Sequence, residues 1–299
     1  MSVSFYRSDI LLKRRDILDL VFNIEYPVHI GERQEGIVKK LLYFEVEGVE
    51  MPIIPAESLR GVFRHLATKI AKSIFDIDIV RCHNKDEHTV DNECRKIVER
   101  YIDEARDWIK KTNIISYEYI GRELSNRQTV ELYLSYKCPI CRLFGSKAMA
   151  SKIIFTDTVF TAFPEVHTYT STSIDRRIKT VAEKRLFRIE YIPPVSTYKL
   201  KTRVIIDNVD PGTYEAILLA NLLRYIAIYG LQIGGSKSRG YGLLKLNDES
   251  KVISMRLNIN PKSADDIRQN IRAILLKEDA IEERSIEEYY SYLSMKDVG

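Results

Sequence analysis

The chain has 299 residues, of which 45% are hydrophobic and 29% charged, and its formal net charge is +4. This length predicts two domains or one domain with large insertions, and the charge is mild for a nucleic-acid binder, so any basic surface has to be local. The sequence contains no apolar run of about 18 residues, which excludes a membrane-spanning helix. Residues 1–15 lack a secretory apolar region, so we expect a cytoplasmic protein.

The first predicted element is a strand over residues 16–30. Large apolar residues alternate there with mostly polar ones, which predicts one buried face. These apolar residues are Leu18, Leu20, Phe22, Ile24 and Tyr26. A short strand follows at 41–46, and a helix is predicted over 57–75 because apolar residues recur there at helical spacing.

Two arginines near the start of this helix indicate an anion site. Arg60 and Arg64 are four positions apart and therefore share one side of the helix. A helix N-terminus also presents unpaired N–H groups and a partial positive charge. The alternative is a solvated face on which the arginine stems pack.

Residues 76–150 are interpreted as an insertion that forms a zinc-binding, helical lid. Its Cys-Pro-Ile-Cys unit places two thiols on one tight turn, where both can reach a single tetrahedral ion. The predicted structural zinc ligands are Cys82, Cys94, Cys138 and Cys141, with His83 or His88 as alternates. A redox pair and plain buried thiols are the alternatives.

A basic hairpin is predicted after the next strand, which spans residues 152–160. Residues 161–196 have strand-like ends, and four cations fall between Arg176 and Lys184. We interpret this segment as a projecting hairpin, with a solvated charged face as the alternative.

The second half of the chain repeats the strand and helix pattern. A strand is predicted at 197–207, a helix at 213–229 and a strand at 241–247. Thr213 is the expected N-cap of that helix, and Gly230 fits its C-terminus.

A glycine-rich loop lies between this helix and the last strand, over Gly234 to Gly242. Glycine permits positive φ, and successive N–H groups in such a loop can bind an anion. Lys237 and Arg239 add charge, and an arginine can hold phosphate with two hydrogen bonds. A strand follows the loop, which excludes a Walker or Rossmann loop because both lead into a helix. The alternative is an ordinary turn.

The predicted order of elements is β-α-β-β-α-β, which indicates an α+β fold of the ferredoxin-like type. We expect this core to span residues 1–260, with the insertions at 76–150 and 161–196. Residues 261–299 are predicted to form a helical extension.

Four segments in the same order resemble those of the RAMP superfamily, the repeat-associated proteins of CRISPR systems. They are Ile54–Arg64, Cys138–Gly145, the basic hairpin and Gly234–Gly242. The resemblance covers roughly residues 16–247 and is closest to the repeating backbone subunit of type III effector complexes.

This resemblance implies a modified, RRM-like ferredoxin fold that binds CRISPR RNA and stacks along it as a filament in antiviral defence. It implies other complex subunits and target RNA as partners, and a thumb hairpin that separates guide–target base pairs. The implied RNA-binding residues are Ser58, Arg60, Arg64, Arg176, Arg177, Lys179, Gly234, Gly235, Ser236, Lys237, Ser238, Arg239 and Gly240. An acid, Glu57, replaces the first serine of the helix segment, and it would repel phosphate if it faced the RNA.

Active backbone subunits of this family carry an aspartate shortly after the first strand, where it supports metal-dependent cleavage of target RNA. Residues 31–40 contain no aspartate, and Val38 falls about where it would stand. Glu35 or Glu32 can ligate Mg²⁺ in its place, so endoribonuclease activity stays open. The sequence is also compatible with a guide-processing ribonuclease of the same superfamily, with His29 as general base, and with a scaffold that binds no RNA.

Overall fold

The computed structural model describes residues 11–35, 38–46, 48–76, 91–112, 124–174, 181–275 and 281–295. The strands are β1 (Arg14–Ile24), β2 (Gly31–Glu35), β3 (Val38–Leu41), β4 (Tyr43–Val46), β5 (Val49–Pro52), β6 (Ile153–Phe155), β7 (Val159–Phe160), β8 (His167–Ile174), β9 (Val181–Tyr191), β10 (Lys199–Asp207), β11 (Leu231–Gln232), β12 (Leu243–Leu246), β13 (Lys251–Arg256) and β14 (Ile281–Ser285). The helices are α1 (Ala56–Ile74), α2 (Asp91–Thr112), α3 (Asn126–Lys137), α4 (Pro139–Phe144), α5 (Tyr214–Tyr229), α6 (Ala264–Leu275) and α7 (Ile286–Ser294). No helix in these ranges is both long enough and apolar enough to cross a bilayer.

The main sheet is built around β1. One edge of β1 pairs antiparallel with β10, from Arg15 opposite Asp207 to Asn23 opposite Lys199. Its other edge pairs with β12 and β13, and β6 pairs with the far edge of β10. Numbered along the predicted β-α-β-β-α-β order, the four strands therefore lie across the sheet in the spatial order fourth, first, third, second. The prediction of an α+β fold is confirmed, and the main sheet is antiparallel.

The fourth strand of this sheet is interrupted beside the middle of β1. β12 ends at Leu246 and β13 begins at Lys251, and both run antiparallel to β1. The intervening turn reaches back to Val21, whose N–H donates to Ser250 Oγ at 2.9 Å. The Val21 carbonyl accepts from the Asn247 N–H at 2.8 Å. The turn therefore supplies hydrogen-bond partners to the N–H and the carbonyl of Val21, where β1 has no partner strand on this edge.

The alternation predicted for the first strand is confirmed up to Ile24 and fails at Tyr26. Leu18, Leu20, Phe22 and Ile24 are buried, whereas Tyr26 is 50% exposed. The N–H groups of Glu25 and Tyr26 both donate to the carbonyl of Leu243. Two successive residues thus oppose one partner, which shifts the alternation by one position and turns Tyr26 outward.

Helices α1 and α5 pack against each other and on the same hydrophobic core. α1 buries Leu59, Phe63, Ala67 and Ala71, which are spaced four apart. α5 is predominantly apolar, and its N-cap is Thr213, whose hydroxyl accepts from the Ala216 N–H as predicted. Gly230 ends this helix at φ 79°, also as predicted.

The segment predicted as a helical extension contributes to the same core. β14 pairs with β13, and α7 packs against α5. Tyr289 and Leu293 of α7 are fully buried in the main core. On the same helix, the Tyr292 ring lies within cation–π distance of the guanidinium groups of Arg14, Arg256 and Arg284.

A second sheet contains the predicted basic hairpin, in the order β2-β3-β9-β8. β8 and β9 pair antiparallel from His167 opposite Tyr191 to Ile174 opposite Val181. β3 pairs parallel to β9, with Val38 opposite Arg188. The basic tip with Arg176, Arg177 and Lys179 lies outside the described residues.

The helical insertion is anchored to the main core through α4. α2 and α3 share a small separate cluster that includes Tyr101, Ala105, Val130 and Tyr133. α4 buries Ile140, Leu143 and Phe144 in the main core instead.

Arg142 of α4 pairs at 2.6 Å with the carboxylate of Glu215, which is buried in the first turn of α5. Lys152 lies 3.3 Å from the same carboxylate. Because two cations offset the cost of burying one carboxylate, this cluster joins the insertion to the core.

Candidate nucleic-acid interface

The glycine-rich loop is packed tightly against the chain that follows β1. At Gly234, which has φ 80°, an added Cβ would lie 2.2 Å from the His29 carbonyl oxygen. At Gly242, which has φ 83°, it would lie 1.8 Å from the Ile233 carbonyl oxygen. These two glycines are therefore required by close approach of the protein's own backbone.

His29 is the residue on which this packing converges. Its side chain is buried, and its Nδ1 donates to the Glu190 carbonyl oxygen at 2.7 Å. Its carbonyl accepts from the Gly235 N–H at 3.0 Å, and a Cβ on Gly31 would lie 2.8 Å from its Nε2. Burial lowers the pKa of the His29 imidazole, which therefore favours its neutral form. His29 thus joins β9, the start of β2 and the glycine-rich loop.

The charged part of the loop projects outward from this anchor. Lys237 to Arg239 form one turn of 3₁₀-helix between Ser236, at φ 56°, and Gly240, at φ 83°. Lys237, Ser238 and Arg239 are all exposed. The Lys237 carbonyl accepts from Gln232 Nε2 and from the Gly240 N–H, which holds the turn closed.

A cavity of about 870 Å³ separates this loop from α1. Its walls are α1, the C-terminal end of α5, the glycine-rich loop and residues 29–31. Of the described residues that line it, three are lysines (Lys39, Lys69 and Lys237), two are histidines (His29 and His65) and one is an acid (Glu57). The cavity therefore favours an anionic ligand.

The wall formed by α1 presents one consecutive helical face. It consists of Glu57, Ser58, Gly61, Val62, His65, Leu66 and Lys69. At 3.6 residues per turn, Ser58, His65 and Lys69 lie almost above one another. Polar residues at this spacing are the sequence signal by which His65 and Lys69 could have been found.

Comparison with known proteins identifies the family of the chain that forms this cavity. A sequence profile of the RAMP superfamily matches residues 21–245. The chain belongs to the RAMP superfamily. No curated protein shows a significant match. Among solved structures, a chain of a "Type IV-B CRISPR Complex" is similar with 14% identity and a TM-score of 0.46, covering 86% of this chain and 98% of that chain.

Of the RNA-binding residues implied by the RAMP resemblance, those that the structure describes either line the cavity or lie outside its lining. Ser58, Gly234, Gly235 and Lys237 line it together. Arg60 does not, because its Nη2 donates to the Phe144 carbonyl at 2.7 Å and thereby holds α1 against α4. The other described members of the set are also outside the cavity lining: Arg64, Ser236, Ser238, Arg239 and Gly240.

The predicted anion site at the N-terminus of α1 already has a protein partner. The Ala56 N–H donates to Asp157 Oδ1 at 2.7 Å. A carboxylate placed there is favourable to the helix dipole and repels a second anion. Glu57 lies in the cavity lining beside it. An anion is therefore less favoured at this helix N-terminus than beside the lysines that line the cavity.

The RAMP segment Cys138–Gly145 forms the junction of α3 and α4. Cys138 ends α3 and caps α4, and Cys141 lies in the first turn of α4. Both side chains are buried. Within the described residues, no group of three or more histidine, cysteine or acidic side chains is placed to hold a metal. Cys82, His83, His88 and the side chain of Cys94 lie outside those residues.

The candidate catalytic acids of a RAMP nuclease lie in the second sheet. Glu32 and Glu35 are in β2, which pairs with β3 next to the cavity wall at Gly31. Their side chains lie outside the described residues, so a catalytic role for either glutamate stays a prediction.

Proposed function

We propose that this RAMP protein is a CRISPR RNA-binding backbone subunit of a type III interference complex, acting in antiviral defence. In this function it holds guide RNA, associates with further copies of itself along that RNA and contacts other subunits and target RNA. Family membership over residues 21–245 supports this proposal. The hairpin of β8 and β9 is the proposed thumb between guide and target.

The single observation that carries the proposal is the shared lining of one cavity by Ser58 and Lys69 of α1 and Lys237 of the glycine-rich loop. A cleft with lysines on opposite walls suits a phosphate backbone, which carries regularly spaced charge and needs no reading of sequence. The loop is held in place by His29, so its cation is positioned before RNA arrives.

The test is RNA binding by the full chain as a function of salt. We expect similar affinity for single strands of different sequence, with a linear fall of log K against log salt. Isolation of the native complex and sequencing of its RNA would identify the guide. Absent or salt-insensitive RNA binding would instead support a scaffold that binds no RNA.

Target cleavage is a separate proposal that depends on Mg²⁺. Carboxylates at Glu35 or Glu32 would hold the ion, which would stabilise the charge that develops on the scissile phosphate. The assembled complex should cut target RNA at regular intervals only with Mg²⁺, and Glu35→Ala should lose this cutting. Unchanged regular cleavage in the variant would refute the role of Glu35.

Guide processing is favoured as a second candidate by the environment of His29. His29 is among the residues that line the cavity, and the lowered pKa of its imidazole favours the neutral form that a general base requires. Metal-independent cutting of a repeat RNA by the isolated protein would establish this function over the first one.

Structural zinc is also proposed. Cys138 and Cys141 lie three residues apart at the start of α4, an arrangement that suits two thiolate ligands of a tetrahedral ion. Cys82 and Cys94, with His83 or His88 as alternates, would complete the site. Zinc held there would tie the insertion to the core at α4.

A further inference from the structure

The wall of the cavity formed by α5 carries two aromatic side chains that are exposed and are not part of the hydrophobic core. Tyr225 and Tyr229 are four residues apart on the last turn of the helix, and both line the cavity. Tyr225 is 40% exposed and Tyr229 is 65% exposed. Their ring centroids are 4.9 Å apart, with the planes tilted by 45°. Each ring thus supports the other and leaves aromatic surface open to the cavity.

Basic residues line the other walls of the cavity. Lys69 and His65 come from α1, Lys237 comes from the glycine-rich loop, and Lys39 comes from β3. Aromatic rings within a basic groove are the combination that binds single-stranded nucleic acid, because each base presents a flat face while the phosphates need cations. A partner that offered only an apolar segment would cover Lys69 and Lys237 without supplying an anion for either of them.

We propose that Tyr225 and Tyr229 form a stacking platform for an unpaired nucleobase of single-stranded RNA. The base lies against the tyrosine pair, with Tyr229 as the main contact because it is the more exposed ring. The lysines of the facing walls hold the flanking phosphates. This inference rests on the proposed function and adds to it a contact with the base, where the family resemblance implied contacts with the RNA backbone.

Stacking and phosphate contacts respond differently to salt, which allows the two to be separated. Phosphate contacts release counterions, so each one steepens the fall of affinity with salt. Stacking on an uncharged ring releases none. Loss of the tyrosines should therefore lower affinity at every salt concentration by the same factor.

The experiment compares the full-length wild type with the double variant Tyr225→Leu and Tyr229→Leu. The probes are a labelled uridine homopolymer and an abasic ribose-phosphate strand of equal length. We expect the wild type to bind the homopolymer more tightly, and the double variant to lose about tenfold of that affinity. Affinity for the abasic strand and the salt slope should be unchanged.

The matched control is Ile228→Ala, an exposed residue on the same turn of α5 that is outside the cavity lining. It should bind both strands like the wild type. As a direct readout, 2-aminopurine placed in the homopolymer should be quenched by the wild type and not by the double variant.

Two results would overturn the inference, and they are distinguishable. In the first result, the wild type binds RNA, and the double variant either binds each strand as tightly as the wild type does or loses affinity for both strands by the same factor. The stacking platform is then wrong, and the proposed function stands. If the wild type binds neither strand, the proposed function fails and the platform fails with it.

Discussion

The phenol of Tyr289, near the C-terminus, donates a hydrogen bond of 2.8 Å to Asp16 Oδ2, at the start of the central strand. Both side chains are fully buried. Arg14 Nε also lies 2.7 Å from the same carboxylate oxygen. The buried charge of Asp16 is therefore stabilised by one residue on its own strand and one residue at the other end of the chain.

Removing the Tyr289 hydroxyl should destabilise the protein. Tyr289→Phe keeps the ring in the core but takes one hydrogen-bond donor from a buried carboxylate. We expect a loss of about 2 kcal/mol in the free energy of unfolding, the range for hydrogen bonds to charged groups. Denaturant unfolding would measure it, with the exposed Tyr26→Phe as a control that changes little.

The same pair makes the effect depend on pH in a defined direction. Burial, and then the charge of Asp16, raise the pKa of Tyr289 well above its ordinary value. The unfolded tyrosine ionises near pH 10, so the stabilisation is complete below that pH and is lost as the pH rises above it. The stability difference between wild type and Tyr289→Phe should shrink in that alkaline range. A difference that stays constant there would contradict this assignment.

Two glycines of the cavity wall should respond to alanine with opposite signs. Gly234→Ala places a methyl group 2.2 Å from the His29 carbonyl at positive φ, and should cost at least about 2 kcal/mol. Gly61→Ala meets nothing within 4 Å in the interior of α1, and should stabilise by about 0.5–1 kcal/mol. Thermal unfolding of both variants measures the contrast. Equal behaviour would mean that the loop is not held against His29.

Lysines on opposite walls of the cavity should contribute to RNA affinity without regard to sequence. The double variant Lys69→Ala and Lys237→Ala removes two phosphate partners, and should reduce the slope of log K against log salt by about 1.4 for a single strand. Titrations with two RNA sequences at several salt concentrations would show whether the loss is uniform.

Arg60→Ala is the matched control for these lysines. Its guanidinium donates to the Phe144 carbonyl, so the change should lower stability while the salt slope stays that of the wild type. A reduced slope for Arg60→Ala, together with an unchanged slope for the lysine variant, would place the RNA on the other side of α1.

Zinc content is the direct test of the cysteine set. Elemental analysis of the purified wild type should find one zinc ion per chain, and Cys138→Ser should lose it and unfold at a lower temperature. Val130→Ala, a core change in α3 outside the predicted ligand set, controls for destabilisation alone and should retain the metal. Absence of zinc from the wild type would remove the site altogether.

Periodicity in the sequence was sufficient for the elements that place the site. Helix α1 was predicted at 57–75 and observed at Ala56–Ile74, because its buried residues recur every four positions. The strand predicted at 152–160 was observed as two, β6 and β7, which pair with different parts of β10. Local composition does not indicate this interruption of the strand, because the pairing of β6 and β7 with β10 determines it.

The membership of the cavity was only partly predictable. The resemblance implied RNA contacts for Ser58, Arg60 and Arg64, and of these three only Ser58 lines the cavity. Residues two apart, such as Ser58 and Arg60, lie about 200° apart around a helix. The regular spacing of His65 and Lys69 from Ser58 was present in the sequence and indicates the face of α1 that lines the cavity. Tyr225 and Tyr229 could not be told from core residues, because they are part of a helix that is apolar on nearly every side.

The pairing of β1 has a consequence for synthesis of the chain. The Val21 N–H, in the middle of β1, cannot form its hydrogen bond until Ser250, 229 residues later, has been synthesised. At translation rates of about 5–20 residues per second, that interval is roughly 10–45 s. During most of this time the apolar face of β1 is outside the ribosome without either neighbouring strand. We therefore expect nascent chains of this protein to depend on chaperones until Ser250 has emerged.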